Sequence, residues 1–213
     1  MAKEYDVVVV GAGTGGYVAA IRAAQLGLRV AVVERQKALG GTCLLWGCIP
    51  TKALLEHAHA LKIVQNAGEW GITSTGPSSF GIDMAAVQKR KDRIVGGLAK
   101  GIEFLFKKNQ IDWIKGTARL TGRGGVDVFD GEAQTLRATR EIVVATGSAP
   151  RAVPGIEVDR RRIITSDEAV NLAVVPKSIA ILGSGAVGVE FASIFRRFGG
   201  DVTIFELLPR LVP

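Results

Sequence analysis

The sequence predicts an α/β fold in which the strands of a parallel sheet alternate with helices, and three observations predict it. Apolar runs rich in β-branched residues span positions 5–10 and 178–182, and each run stops at a glycine. A helical pattern and a second apolar run follow each of them. An offset of 172 positions carries the first of these units onto the second, so one strand–helix–strand unit is written twice.

Both copies open their helix with the pattern G-x-G-x-x-G, at Gly11, Gly13 and Gly16 and again at Gly183, Gly185 and Gly188. The second strand of each copy ends in an acid 18 residues after the third glycine, at Glu34 and Glu206. In a dinucleotide-binding unit these glycines make the turn, admit a pyrophosphate and pack helix on strand, while the acid accepts a ribose hydroxyl. Glycines used for packing alone are the alternative. Two complete copies with acids in register favour nucleotide binding.

The stretch between the copies predicts a helix followed by short strands. Apolar residues at helical spacing predict a long amphipathic helix over 83–108, namely Met84, Val87, Ile94, Leu98, Ile102 and Leu105. Gly-rich turns over 111–145 predict a small antiparallel meander, and Pro150, Pro154 and Gly155 indicate a linker. We therefore expect a Rossmann-like dinucleotide-binding domain with a β-meander over 1–150 and the beginning of a second Rossmann-like domain over 151–213.

The net charge of +7 raises the question of a nucleic-acid partner. The basic clusters 89–93 and 160–162 contain no interleaved aromatic residue that could stack on bases, and the first lies on the predicted helix as a solvated face. The apolar run over 7–21 is too short for a bilayer and contains four glycines. The first residues do not resemble a signal peptide. We expect no nucleic acid, no membrane and a cytoplasmic location.

The acid of the second copy indicates which nicotinamide cofactor is expected. Glu206 would repel a 2′-phosphate, and Leu207 and Leu208 follow it, which favours NAD over NADP. Arg210 is close enough in sequence to keep NADP as the alternative.

The cysteines Cys43 and Cys48 lie five positions apart, directly after the first copy. In a regular helix such residues are offset by roughly 7.5 Å along the axis and about 140° around it. A disulfide tolerates at most about 7 Å between Cα atoms, so a bridge here requires an irregular helix. Gly47 and Pro50 are residue types that permit one.

Other interpretations of the cysteines remain open. They could pack as two small buried side chains, or they could bind zinc with His57 and His59. The His-x-His spacing on a helix directs the two rings apart and does not match known zinc spacing, so no metal is expected. We interpret both histidines as partly buried helix residues.

The segment 40–52, GGTCLLWGCIPTK, resembles the redox-active motif of the class I pyridine nucleotide-disulfide oxidoreductases, which include the dihydrolipoamide, glutathione and mercuric reductases. Cys43-Leu44 and the run 47–52 are most similar to the dihydrolipoyl dehydrogenase branch. Further matches are the segments 116–118, 145–148, 166–169 and 190–192. Leu45 and Trp46 depart from the family, which usually has a polar residue and a valine between the cysteines.

This resemblance implies that the domain over 1–150 is an FAD-binding domain and that the one beginning at 151 is an NAD-binding domain. It implies a flavoprotein that oxidises dihydrolipoamide to lipoamide with NAD⁺, through FAD and a Cys43–Cys48 disulfide. Cys43 would exchange with the substrate and Cys48 would face the flavin. Lys52 would lie beside the flavin and pair with Glu190. Besides the first glycine pattern and Glu34, the residues expected to bind cofactor are Gly41, Thr42, Lys52, Ala118, Thr146, Gly147 and Ser148.

The resemblance also implies partners. The substrate would be a small dithiol or disulfide, or a lipoyl group on a carrier domain, and the family forms homodimers. The family's histidine–glutamate pair and its interface domain have no match here, so we expect a truncated chain with little turnover of its own. A glutathione- or mercuric-reductase-like enzyme is the alternative within the class, and a non-catalytic nucleotide-binding fragment is the alternative outside it.

Overall fold

A computed structural model describes residues 2–73, 76, 79–151 and 153–212. The chain forms two compact units, Met1–Trp46 with Val95–Ala149 and Gly47–Ile94 with Pro150–Pro213. The domain boundary expected near residue 150 follows sequence motifs rather than contacts, and it stays a prediction. None of the helices in the described part of the chain is long and apolar enough to cross a bilayer.

The first unit is built on a six-stranded sheet. Its strands are β1 (Lys3–Val10), β2 (Val30–Glu34), β3 (Asp112–Lys115), β4 (Thr117–Gly122), β5 (Gly125–Phe129) and β6 (Gln134–Val144). Their order is β3-β2-β1-β6-β5-β4. The first three pairs in this order are parallel and the last two are antiparallel, so one sheet joins a parallel part to a meander.

Two central strands, β2 and the second half of β1, are apolar runs, as is typical of parallel strands that are covered on both faces. All of β2 is buried, and Val8 and Val9 of β1 are fully buried. Side chains of the meander join the same core, among them Val126 and Leu136. The core thus holds in place the carboxyl ends of β1 and β2, where ligands bind in sheets of this kind.

The expected meander over 111–145 differs from the structure at both ends. The first strand of this stretch, β3, pairs parallel with β2. The last strand, β6, is 11 residues long, and it pairs parallel with β1 at residues 136–138 and again at 141–144. Both ends of the stretch therefore belong to the parallel part of the sheet, and β4, β5 and the beginning of β6 form the antiparallel meander.

The helices and the remaining strands complete the fold. The first unit contains α1 (Thr14–Gln25) and α2 (Gly41–Leu45), and α4 (Met84–Lys108) begins in the second unit and ends in the first. The second unit contains α3 (Cys48–Gln65), a 3-10 helix (Ala67–Trp70), α5 (Ser166–Ala169), β7 (Ser178–Leu182), α6 (Ala186–Arg197) and β8 (Asp201–Phe205). In this unit β7 and β8 pair in parallel, and α6 packs against α3 and β8.

Helix α4 matches the expected range, and three residues of its expected buried face, Met84, Val87 and Ile102, are buried, but two others are not. Leu98 and Leu105 are exposed, and Ala99 and Phe106 are buried in their place. Lys91 belongs to the basic cluster expected to be solvated, yet it is only 3% exposed. At about 100° per residue, Leu98 and Leu105 lie on one side of Ile102 around the helix axis, and Ala99 and Phe106 lie on the other side, which is the side buried at the end of α4.

The strand–helix–strand repeat is present in three dimensions. The backbone N–H of Gly11 donates to the carbonyl of Val33 at 2.8 Å, and 172 positions later Gly183 donates to Phe205 at the same distance. Gly11 and Gly183 have φ angles of +98° and +99°. The two copies therefore make the same turn between the first strand and its helix.

Candidate functional site

The first glycine pattern forms the turn between β1 and α1, and two of its glycines are required by the fold itself. Gly11 has φ +98°, and a Cβ there would lie 2.3 Å from the carbonyl oxygen of Ala145. A Cβ on Gly16 would lie 1.8 Å from the carbonyl oxygen of Gly11. Both distances are far inside van der Waals contact, so any larger residue would move the turn or the helix.

At Gly13, neither the backbone conformation nor a close contact explains why the residue is a glycine. Its φ of −70° suits any residue, and the nearest atom to a Cβ placed there is the Cα of Gly41, at 3.8 Å. Gly13 nevertheless lines an open cleft. It also precedes the first turn of α1, where no side chain caps the backbone N–H groups. An uncapped helix start with room for close approach is a site for an anion such as a diphosphate.

The cleft has a volume of about 220 Å³ and lies within the first unit. Its walls come from the ends of β1 and β2, from α2, from the β3–β4 junction and from the chain after β6. The residues that line it are Val10, Gly11, Gly13, Val33, Glu34, Arg35, Gln36, Gly41, Thr42, Trp46, Gly116, Thr117, Ala118, Ala145, Thr146, Gly147 and Ser148.

Several residues expected to bind cofactor therefore lie together in this cleft: Gly11, Gly13, Glu34, Gly41, Thr42, Ala118, Thr146, Gly147 and Ser148. Gly16 is not among the residues that line it, because it packs against the turn. The fold also requires a glycine at position 41, since its φ is +60° and a Cβ there would lie 2.4 Å from the Cα of Gly13. Their contacts with a cofactor stay predictions.

Glu34 lies at the end of β2 with its carboxylate inside the first unit. It is 8% exposed and accepts hydrogen bonds from the backbone N–H groups of Ala12 and Gln36, both at 2.8 Å. A carboxylate has about four acceptor positions, so these two bonds orient Glu34 and leave acceptor capacity for a ribose hydroxyl.

Glu206 repeats this arrangement in the second unit and adds one bond. Its carboxylate accepts from the backbone N–H and the hydroxyl of Ser184, both at 2.7 Å, and from the N–H of Leu208 at 2.9 Å. The bond from Leu208 and the two from Ser184 lower the pKa of Glu206 from 4.5 to about 2. The carboxylate is therefore negatively charged at neutral pH.

The two remaining glycines of the second pattern behave like their counterparts. A Cβ on Gly188 would lie 2.1 Å from the carbonyl oxygen of Gly183. A Cβ on Gly185 would meet nothing within 4 Å in the described part of the chain, and α6 begins directly after it without a side-chain cap. The open space and uncapped helix start seen at Gly13 thus recur at Gly185.

The cysteine segment is not one regular helix. Cys43 lies in α2 and is half-buried, whereas Cys48 is the first residue of α3 and is exposed. Trp46 (φ −145°, ψ 11°) and Gly47 (φ −118°, ψ −111°) interrupt the helical backbone between them. The structure therefore contains the irregularity that a bridge requires. The pairing of the two sulfurs stays a prediction.

Pro50 was expected to help interrupt the helix, but it lies in the first turn of α3, after the interruption. The backbone N–H groups of the first turn have no partner within the helix, so a proline there removes no helical hydrogen bond. The helical interruption comes before it, at Trp46 and Gly47. Thr51 then donates its hydroxyl to the carbonyl of Gly47 at 2.7 Å and closes the turn.

Lys52 of α3 and Glu190 of α6 form an ion pair within the second unit, with 2.5 Å between Nζ and Oε1. The structure thus contains the pair that the family resemblance implies. The Lys52 side chain is 57% exposed, so its ammonium group remains accessible to a ligand. The catalytic roles of both residues stay predictions.

The histidines do not form a metal site in the described residues, which contain no group of three or more His, Cys, Asp or Glu suited to one. His57 is half-buried, and its Nδ1 lies 2.7 Å from the carbonyl oxygen of Ala53. His59 is exposed, so the expectation that both are partly buried is wrong for His59. It lies two residues from His57 and thus on another face of α3.

The sequence did not point to Arg35, Gln36 or Trp46 as residues of this cleft. Arg35 and Gln36 follow the acid directly, and this position was an available signal. Trp46 was noted only as a departure from the family motif, and its place in the cleft depends on the path of the chain after α2.

Comparison with known proteins gives consistent results. The profile of the pyridine nucleotide-disulphide oxidoreductase family matches residues 5–213. Dihydrolipoyl dehydrogenase 3 of Pseudomonas aeruginosa is 48% identical over 215 residues, which cover 100% of this chain and 45% of that protein. Dihydrolipoyl dehydrogenase of Bacillus subtilis is 45% identical over 222 residues, which cover 100% of this chain and 46% of that protein.

A solved structure is similar as well. The Cu(II) complex of the HOCl-induced flavoprotein disulfide reductase RclA from Escherichia coli has a TM-score of 0.82 to this chain at 29% identity. The match covers 100% of this chain and 44% of RclA. The chain therefore spans less than half the length of the relatives that it matches.

Proposed function

The chain belongs to the pyridine nucleotide-disulphide oxidoreductases, and from this premise we propose that it is the flavin-binding, disulfide-bearing part of a dihydrolipoyl dehydrogenase. The observation that carries the proposal is the composition of one cleft. The turn at Gly11 and Gly13, the acid Glu34 and the helix that contains Cys43 all contribute to its walls or adjoin them.

The residues of the cleft fit a flavin dinucleotide. The uncapped start of α1 beside Gly13 offers backbone N–H groups to the diphosphate. Glu34, held in place by Ala12 and Gln36, accepts a ribose hydroxyl. When bound, FAD supplies the chemistry that takes two electrons from a cysteine thiolate and passes them as hydride to NAD⁺.

The two cysteines exchange with the substrate dithiol in this proposal. A substrate thiolate attacks the sulfur of Cys43, the S–S bond to Cys48 breaks, and Cys48 departs as a thiolate. The second substrate thiol loses its proton and displaces Cys43, so the substrate leaves as a disulfide and both cysteines are reduced. Cys48 is the first residue of α3, where backbone N–H groups without helical partners attract negative charge.

In this proposal, Lys52 provides a positive charge beside the flavin, and Glu190 holds that charge in position. The 2.5 Å ion pair orients the ammonium group of Lys52, and the 57% exposure of its side chain leaves Lys52 accessible to a flavin. In the second unit the negative charge of Glu206 disfavours a 2′-phosphate, which supports NAD as the nicotinamide cofactor.

Flavin binding is the first test of this function. The purified protein is stripped of nucleotide and titrated with FAD, with binding followed by equilibrium dialysis and by the visible flavin spectrum. Binding with a shifted, structured spectrum is the expected result. If FAD does not bind, the proposal is wrong.

The substrate is tested separately, in the natural protein that contains this chain. NAD⁺ reduction is measured with dihydrolipoamide, and NADPH oxidation is measured with glutathione disulfide and with Hg(II). We expect turnover with dihydrolipoamide and NAD⁺, and its loss in Cys43→Ser. Turnover with glutathione disulfide or Hg(II) instead would assign the chain to another branch of the family. FAD binding without any dithiol turnover would favour a non-catalytic nucleotide-binding protein.

A further inference from the structure

Trp46 occupies a position in the nucleotide cleft that the family motif does not explain. It follows α2 with a non-helical backbone, and its N–H donates to the carbonyl of Thr42 at 3.2 Å. Its side chain is half-buried and lines the cleft together with the glycine turn at Gly11 and Gly13. A large ring thus faces the same space as the turn.

Trp46 differs chemically from the rest of the cleft. The other residues that line it contribute small, aliphatic or polar groups, and Trp46 is the one aromatic residue among the described residues that do so. An indole ring offers a flat apolar face, which suits another planar ring and does not suit a diphosphate or a ribose.

The arrangement of the walls indicates which part of a dinucleotide Trp46 meets. The start of α1 beside Gly13 fits the diphosphate, and Glu34 at the end of β2 fits a ribose hydroxyl. Both diphosphate and ribose are thereby assigned to other walls. Trp46 shares the α2 segment with Cys43, which must exchange electrons with the flavin end of the cofactor.

We propose that the Trp46 ring packs against the isoalloxazine of bound FAD and helps to hold it. The proposal rests on the proposed function, since it requires FAD in this cleft. It makes Trp46 a positioning residue for the flavin, at a place where the family usually has a small aliphatic side chain.

Flavin fluorescence tests this contact directly. An indole in contact with an isoalloxazine quenches its emission by transferring an electron to the excited ring. This quenching is lost when the two rings are separated by a few ångströms more than contact distance. The FAD-loaded protein is therefore expected to have short-lived flavin emission, which becomes long-lived in Trp46→Phe. Trp113→Phe is the matched control, because Trp113 lies in β3 and is not among the described residues that line the cleft.

FAD affinity gives a second measurement. In Trp46→Val, which loses the ring, the Kd for FAD is expected to rise about tenfold, as for the loss of one aromatic contact. Circular dichroism verifies that each variant is folded. If Trp46→Val does not fold, the emission lifetime of Trp46→Phe decides alone.

The outcomes separate this inference from the proposed function. If the wild-type protein binds no FAD, the proposed function fails and the inference fails with it. If FAD binds but the emission lifetime is the same in Trp46→Phe as in the wild type, the contact does not exist, and the proposed function stands without it.

Discussion

At the scale of single residues, the glycines of the first pattern differ in what they do. Gly16 is required by packing, because its Cβ would overlap the carbonyl oxygen of Gly11 at 1.8 Å. Gly13 has space around it and lies in the cleft. Substitution by alanine at these two positions should therefore damage different properties of the molecule.

We predict that Gly13→Ala folds with an unfolding free energy within about 1 kcal/mol of the wild type, since only the helix cap changes. Its Kd for FAD should rise at least roughly tenfold, because a methyl group blocks the approach of the diphosphate. Urea unfolding and FAD titration measure the two effects.

Gly16→Ala is the matched variant. Overlap with the turn should destabilise it by roughly 3 kcal/mol, and FAD binding should decline together with the folded fraction. If Gly13→Ala binds FAD as tightly as the wild type does, then Gly13 is not at a diphosphate site.

Glu206 predicts a dependence of stability on pH. Hydrogen bonds from Leu208 and Ser184 lower its pKa in the folded protein from 4.5 to about 2. A lowered folded-state pKa stabilises the protein fully above the unfolded value of 4.5, and this stabilisation disappears as the pH falls toward 2.

The check is the urea midpoint of the wild type and of Glu206→Gln between neutral pH and about pH 2. The wild type should be more stable at neutral pH, and the difference should shrink below about pH 4.5. Asp201→Asn, which changes an exposed carboxylate of the same unit, is the control. A difference that does not change with pH would contradict the role given to these hydrogen bonds.

The sequence predicted the site residues whose position follows from local spacing. The glycines follow the first strand of each copy, and the acids Glu34 and Glu206 lie at the end of the second strand, so their spacing alone predicted where they lie. Trp46 could not be placed in this way, because its position in the cleft depends on the interruption between α2 and α3.

At the scale of elements, α3 and α6 pack together and carry the Lys52–Glu190 ion pair on their surface. Because the Lys52 side chain is 57% exposed, the pair should contribute only about 0–1 kcal/mol to the unfolding free energy. Such a weak structural contribution makes a functional role easy to separate from a structural one.

We predict that Lys52→Met unfolds within about 1 kcal/mol of the wild type, while the visible spectrum of bound FAD shifts because a positive charge near the ring is lost. Lys62→Met, farther along the same helix, is the control and should leave the spectrum unchanged. An unshifted spectrum in Lys52→Met would show that Lys52 is not beside the flavin.

The beginning of α4 predicts an effect on stability. Lys91 donates to the side-chain oxygen of Asn171 at 2.5 Å and to the buried carbonyl of Val170 at 3.3 Å, and it pairs with Asp92 at 3.1 Å. These contacts attach α4 to the residues that follow α5.

Lys91→Met should lower the unfolding free energy by about 1–3 kcal/mol, because the charged donor to Asn171 and Val170 is lost and only Gln88 still donates to the carbonyl of Val170. Lys89→Met changes an exposed lysine on the same helix and should have an effect of less than about 0.5 kcal/mol. Equal stability of the two variants, measured by urea unfolding, would contradict the structural role of Lys91.

The helices also show what hydrophobic periodicity can predict. The expected range of α4, 83–108, agrees with the observed Met84–Lys108, because the pattern extends over many turns. Its buried face could not be read from hydrophobicity alone. Lys91 is buried because Asn171 and Val170 satisfy its ammonium group, and such partners are remote in sequence.

At the scale of the whole molecule, the two strand–helix–strand copies could be predicted because each is a local unit. The order β3-β2-β1-β6-β5-β4 could not, since β3 and β6 join the parallel strands from more than 70 positions away. Because the sequence does not reveal pairing over such distances, the expected meander was larger than the observed one.

The central claim is that this fold holds a flavin against a cysteine pair, and the most direct measurement is the absorbance spectrum of the FAD-loaded protein during titration with two electrons. In the proposed function, a reduced Cys48 thiolate would lie against the oxidised flavin and would donate charge to it. The wild type should therefore develop a long-wavelength band. Cys48→Ser should lack the band, and Cys43→Ser should keep it. Bleaching of the flavin without this band in the wild type would contradict the account.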